Sequence, residues 1–168
     1  KMICTHLPKA FFSGSDLHAR EQMLLGSFLA GVGFAQSKLG NVHAISHTFG
    51  GVFNIPHGIA NATLLPYVIE YNLAACPELF REIAIAMGEN VDGLSQARAG
   101  HKVMEHVVAL NQAIGIPGNI KDLGVDLDYM PQMVSDSMRS GNVLVNPRLT
   151  TAADIERIIS NAFHGIHS

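Results

Sequence analysis

Histidine is the residue to follow in this chain, which holds nine of them. Three fall within residues 39–61, LGNVHAISHTFGGVFNIPHGIAN. His43 and His47 are four apart, so on a helix they stand one turn above one another on the same face. His57 lies between Pro56 and Gly58. A proline fixes its own backbone, and a glycine lets the chain turn or approach where a side chain could not, so a histidine between them is aimed. Neutral imidazole is a good ligand for zinc, iron and other borderline divalent ions. Two histidines on a helix with a third beyond a loop can hold such an ion, or can be packed and satisfied within a core; spacing alone leaves both open. The same spacing is that of a zinc-protease helix, but the protease needs Glu after its first histidine as base, and Ala44 stands here.

Other reactive residue types carry less. His101 and His106 do not share a helical face cleanly, His6 has no partner pattern, and His18, His164 and His167 read as surface residues. Ser27, Ser37, Ser46 and Cys76 lack the glycine elbow of a nucleophile. Asp126 and Asp128 read as loop caps rather than as an acid–base pair, and no GxxxxGK phosphate loop occurs. Gly31-Val32-Gly33 has no third glycine at Gln36 and no preceding strand, so it is no dinucleotide fingerprint.

The elements that must position these residues all have a helical period. Ser15 is expected to cap a helix whose apolar face is Leu17, Leu24, Phe28, Val32, Ala35 and Leu39, with Gly40 ending it. Gly26, Ala30 and Gly33 give it a strip where another backbone could pack closely. Asn41 is expected to cap a short helix carrying His43 and His47 and ending at Gly50-Gly51. Residues 52–55 then lead to Pro56 as the first residue of a third helix, with a kink expected at Pro66. Further helices are expected over residues 78–87, closed by Gly88, over 95–114 and over 131–138. Thr151 opens the last one, with Asp154 completing a capping box. Residues 121–128 and 140–147 read as turns. The opening KMICTHLPKAFF shows no capping signal and receives no element; it reads as the interior of something longer. With no convincing strand, the fold class is all-α, a bundle-like helical domain.

At 168 residues the chain fits a single domain. Only 15% of it is charged against 48% apolar, a balance that calls for part of the surface to be covered by a partner domain or subunit. Net charge is −3 with no Lys/Arg cluster, which excludes a nucleic-acid partner. Cys4 and Cys76 have neither metal nor redox spacing and fit a reducing compartment. No apolar run reaches the ~18 residues of a membrane span and no signal peptide opens the chain, so a cytoplasmic location is expected.

Taken together, GxxHAxxH at residues 40–47, PHG at 56–58 and the run 60–66 leading to Tyr71-Asn72 resemble the iron-dependent, or group III, alcohol dehydrogenases. ARE at residues 19–21, the segment 30–34, GIP at 115–117 and NPR at 146–148 extend the resemblance over essentially the whole chain. The resemblance implies a two-domain, dehydroquinate synthase-like architecture. Its N-terminal α/β domain binds NAD or NADP, and its C-terminal all-α domain supplies much of the metal site. This chain resembles the C-terminal half, without the cofactor domain, so no cofactor-binding residues are assigned in it. Of the family's four metal ligands, an Asp and three His, the pattern assigns His43 and His57 here and places the others upstream of Lys1. His47 is then not a ligand but the candidate for proton transfer beside nicotinamide and substrate. Phe34 matches a position lining the substrate pocket, with plain core packing as its alternative, and Asn146, Pro147 and Arg148 fix the turn before the last helix.

The function implied is metal-assisted hydride transfer between small aliphatic alcohols or diols and their aldehydes. Fe²⁺ or Zn²⁺ would act as a Lewis acid and NAD(P) would carry the hydride. The resemblance further implies a homo-oligomer, and a fragment with half a coordination sphere that is inactive alone. The competing reading is a non-catalytic helical assembly module that binds metal weakly or not at all.

Overall fold

Eight α-helices account for most of the chain in the computed structural model, which describes residues 1–165, and no strand occurs among the described residues. They are α1 (Met2–Phe12), α2 (Leu17–Ser37), α3 (Asn41–Phe53), α4 (His57–Leu73), α5 (Pro77–Met87), α6 (Gln96–Ala113), α7 (Met130–Arg139) and α8 (Ala152–His164). Short 3-10 turns at Lys121–Leu123, Leu127–Tyr129 and Gly141–Val145 complete the connections. The all-helical expectation holds.

The organising element is α4. Ten of its residues are buried, among them Leu64, Tyr67, Val68, Ile69, Tyr71 and Leu73, because it divides two apolar cores and serves both. On one side Leu64, Tyr67 and Val68 pack with Ile45 and Phe49 of α3, Met133 of α7 and Ile155 and Ile159 of α8. On the other, Ile69 and Leu73 pack with Phe80 and Ala84 of α5 and Val103 and Met104 of α6. Gly100 of α6 permits this second contact: a Cβ there would lie 2.5 Å from Leu73 Cδ2. The helix runs on through Pro66, itself buried.

Capping explains several boundaries. Ser95 accepts from the Arg98 amide at the start of α6, Gly88 closes α5 with φ of 100°, and Thr151 and Asp154 form the expected reciprocal box on α8. Hydrogen bonds from Thr151, together with the nearby Arg157, hold the Asp154 carboxyl below its usual pKa.

Four expectations are corrected. Residues 2–12 form a helix, α1, although Lys1 offers no side-chain cap and Pro8 lies inside. Asp16 rather than Ser15 caps α2: its Oδ1 accepts from the Ala19 amide at 2.9 Å, and Lys9 of α1 pairs with it. Gly40 begins α3 as its N-cap rather than ending α2, which puts Asn41 inside the helix as a buried residue. Finally α3 does not stop at Gly50-Gly51; it runs to Phe53, whose ring packs against the core, and ends at Asn54 in the left-handed region.

The expected apolar face of α2 is also misplaced. Leu17 is 78% exposed, Leu24 74% and Phe28 67%, and only Ala19 and Gly26 of that helix are buried. Gly26 does receive a close neighbour: Ile3 Cγ1 of α1 would lie 3.1 Å from a Cβ there. The α1–α2 hairpin thus packs on itself through its small residues and turns its large ones outward.

Candidate metal centre

His43 and His47 lie on α3, and His57 opens α4 after the turn that Asn54 and Pro56 make. The helices meet so that all three imidazoles gather. Ring centroids are 5.2 Å apart for His43 and His57, 5.4 Å for His47 and His57, and 5.9 Å for His43 and His47. The grouping is held from below by Ile45 and Phe49 of α3 and Ala60 and Leu64 of α4, all fully buried, so the histidines ride on the wall of the first core.

A second clamp fixes the start of α3. Asn146 Oδ1 accepts from the Asn41 backbone amide at 3.2 Å and from Asn72 Nδ2 at 3.2 Å, while its Nδ2 donates to Asn72 Oδ1 at 2.8 Å and to the Arg148 carbonyl at 2.8 Å. Arg148 in turn donates to the Tyr71 carbonyl and lies over the Tyr71 ring, its Cζ 4.2 Å from the centroid. Asn146 and Arg148 have the structural role expected of them: they tie the turn before α8 to the N-terminus of α3 and the end of α4.

Two of the three histidines are aimed at a common point. Asn61, one turn beyond His57 on α4, places its Nδ2 2.9 Å from His57 Nε2 and 3.2 Å from His43 Nε2. An amide nitrogen can only donate, so both Nε2 atoms face it as acceptors. Burial pushes the His43 imidazole below its usual pKa, and charge on His57 or His47 pushes it further. A neutral ring with a free Nε2 lone pair is the form that ligates a cation. His47 does not share the amide, and no group of three or more His, Cys, Asp or Glu residues able to hold a metal occurs among the described residues. The donor set fits part of a shell for Fe²⁺ or Zn²⁺: two borderline nitrogen donors with room left for ligands from elsewhere.

The remaining candidates separate from this centre. Phe34, near the end of α2, is 50% exposed and is therefore not a packed core residue. His106 binds Glu89 through Nδ1 at 2.7 Å, and His6 packs edge-on against His18 at 5.6 Å. His167 lies outside the described residues. A cavity of about 430 Å³ between α4 and α6, lined by Thr63, Tyr67, Met104, Val108 and Asn111, contains none of the three clustered histidines.

Asn61 is the member of the cluster that sequence reasoning missed. Its signal was present: it stands at i+4 from His57, the spacing that had marked His43 and His47, but an amide draws no attention until its partners are known.

Comparison with known proteins places this geometry in context. Residues 1–163 match the family model described as Fe-containing alcohol dehydrogenase family, C-terminal. The 1,3-propanediol dehydrogenase of Klebsiella pneumoniae is 44% identical over 163 residues, covering 97% of this chain and 42% of that protein. The NAD-dependent methanol dehydrogenase of Bacillus methanolicus is 40% identical over 162 residues, with 96% and 42% covered. Among solved structures, an alcohol dehydrogenase from Oenococcus oeni superposes with a TM-score of 0.94 at 41% identity, covering 96% of this chain and 42% of that one. The chain thus spans about two fifths of the length of the relatives it matches.

Proposed function

The chain belongs to the Fe-containing alcohol dehydrogenase family, as its C-terminal helical domain, and from that premise we propose that it forms the metal-binding half of an NAD(P)-dependent enzyme interconverting small aliphatic alcohols or diols and aldehydes. The observation that carries the reading is the convergence of His43 and His57 Nε2 on the single Asn61 amide nitrogen. Two neutral imidazoles aimed at one point, on the residues that the family pattern marks, are half of a ligand shell. The other ligands would come from helical sequence just upstream of Lys1, and the nicotinamide site from an N-terminal α/β domain.

When bound there, Fe²⁺ or Zn²⁺ supplies Lewis-acid polarisation of the alcohol or aldehyde oxygen. The chain's own residues do the rest. His43 and His57 hold the ion. His47, exposed and stacked on His57 with 25° between the rings, is placed to take the hydroxyl proton and pass it to solvent. Phe34 covers the alkyl part of the substrate. Two of the more similar relatives, named for 1,3-propanediol and methanol, support a small-substrate reading. Two ligands alone make a weak site, so the 168-residue chain is proposed to be inactive by itself. Its free cysteines suit a reducing cytoplasm, and no helix among the described residues is long and apolar enough to cross a membrane.

The test has two arms. Polypeptide extended by the N-terminal domain and loaded with Fe²⁺ or Zn²⁺ is expected to reduce NAD or NADP when given a panel of short alcohols and diols. No turnover across the panel sinks the enzymatic reading. In the second arm the 168-residue chain is titrated with Zn²⁺ beside His43→Ala and His57→Ala. Weak binding lost in both variants supports the half-site, and binding that survives both removes it. A non-catalytic assembly module is the second reading, favoured by the exposed Leu24, Phe28 and Leu29 of α2; it predicts self-association with weak or no metal binding and no turnover.

A further inference from the structure

The histidine pair raises a question that its own residues do not answer: what makes both rings present the same nitrogen? A neutral imidazole carries its proton on either Nδ1 or Nε2, and the choice is set by what the ring nitrogens touch. Here both Nε2 atoms touch one donor, Asn61 Nδ2, at 2.9 Å for His57 and 3.2 Å for His43. The amide group has two N–H bonds, one for each ring. Its own oxygen, Oδ1, is buried and without a hydrogen-bond partner. Leaving that oxygen unpaired is costly, so the two contacts its nitrogen makes to the rings are what hold the amide in this orientation.

We propose that Asn61 is the positioning residue of this centre: in the cation-free protein its amide holds His43 and His57 protonated on Nδ1, with both Nε2 lone pairs aimed at the point a divalent cation takes. The amide hydrogens, partly positive, stand in for the cation. His43 and His57 would offer a divalent cation the same lone pairs that the amide holds, and neither ring would have to exchange its proton. The assignment rests on the reading of His43 and His57 as ligands, and it names a role that the pattern of an Asp and three His leaves open.

The experiment is long-range ¹H–¹⁵N correlation of the histidine rings in the cation-free chain at mildly alkaline pH, for wild type, Asn61→Ala and Asn61→Asp. Wild type is expected to show both rings protonated at Nδ1. In Asn61→Ala at least one ring should move to the Nε2–H form. In Asn61→Asp, where a carboxylate only accepts, both should move. Zn²⁺ affinity of the Ala variant should fall by about 10–100-fold, the usual consequence of losing a group that orients a ligating histidine. Nε2–H rings in wild type, or unchanged tautomers in both variants, would overturn the proposal, as would an unchanged or tighter Zn²⁺ affinity. Should Asn61→Ala fail to fold by circular dichroism, the wild-type tautomers and the near-isosteric Asp variant still decide. The two readings also fail separately. Zn²⁺ bound through His43 and His57 whose cation-free rings are Nε2–H ends the Asn61 assignment alone. Nδ1–H rings in a chain that never binds Zn²⁺ end the ligand assignment and leave the tautomer control by Asn61 standing.

Discussion

His43 is half-buried and flanked by two other histidines, and each circumstance opposes its protonation. Above about pH 6.5, the ordinary value, the ring is neutral in both the folded and unfolded chain and pH does not touch its contribution. Below it the unfolded chain takes up the proton first, because the folded pKa is depressed, so folding loses stability as the solution is acidified. The expected result is a wild-type advantage over His43→Gln that is largest near pH 7.5 and shrinks toward pH 5, read from urea midpoints at matched pH. A difference that stays flat over that range would contradict the depressed pKa. The same competition for the lone pair weakens cation binding in acid. At this scale the sequence was legible where chemistry follows spacing: His43 and His47 share a face because they are four apart, and His57 is turned toward them by its Pro–Gly setting. Asn61 was illegible because its role depends on two rings brought from different helices.

Helix ends divide in the same way. Where a cap is local, as in Thr151–Asp154 or the Gly88 left-handed close, the sequence announces it. Where the end is decided by packing it does not. The Gly50-Gly51 pair reads as a stop, yet Phe49 and Phe53 belong to the core and draw α3 past it. Gly40 reads as the end of α2, yet its bareness serves a contact made 106 positions later in the chain: a Cβ there would lie 2.9 Å from Asn146 Oδ1. The two glycines therefore make opposite predictions. Gly40→Ala pushes away the amide that joins the Asn41 backbone to Asn72 and is expected to cost about 1–3 kcal/mol. Gly51→Ala meets nothing within 4 Å inside a helix and is expected to stabilise by about 0.5–1 kcal/mol. Denaturant midpoints for the two variants check both signs; a harmless Gly40→Ala would show that the Asn146 clamp does not set the start of α3.

For the whole molecule, the low charge and high apolar content of the sequence are matched by large apolar side chains left exposed, among them Leu17, Leu24 and Phe28 of α2. The stripe Leu17, Leu24, Phe28 and Val32 has the spacing of a core face, and periodicity cannot say what lies opposite. Among the described residues α1 packs closely against this helix at Gly26, and Phe12, Leu24, Phe28 and Leu29 are each more than half exposed. An apolar surface of this kind is covered by another body in most proteins, in keeping with a chain that spans about two fifths of its relatives' length. Alone, the chain is expected to bind a hydrophobic dye such as ANS and to self-associate with rising concentration and salt. Leu24→Glu with Phe28→Glu should reduce both while moving the thermal midpoint little, because substitutions at exposed positions seldom exceed about 0.5 kcal/mol. In the polypeptide carrying the N-terminal domain the same pair should instead be costly, since two carboxylates would then be buried without partners. If the double variant proved harmless there and left the isolated chain as sticky as before, the hairpin would be an ordinary solvent face, and the apolar surplus would have to be sought on another helix.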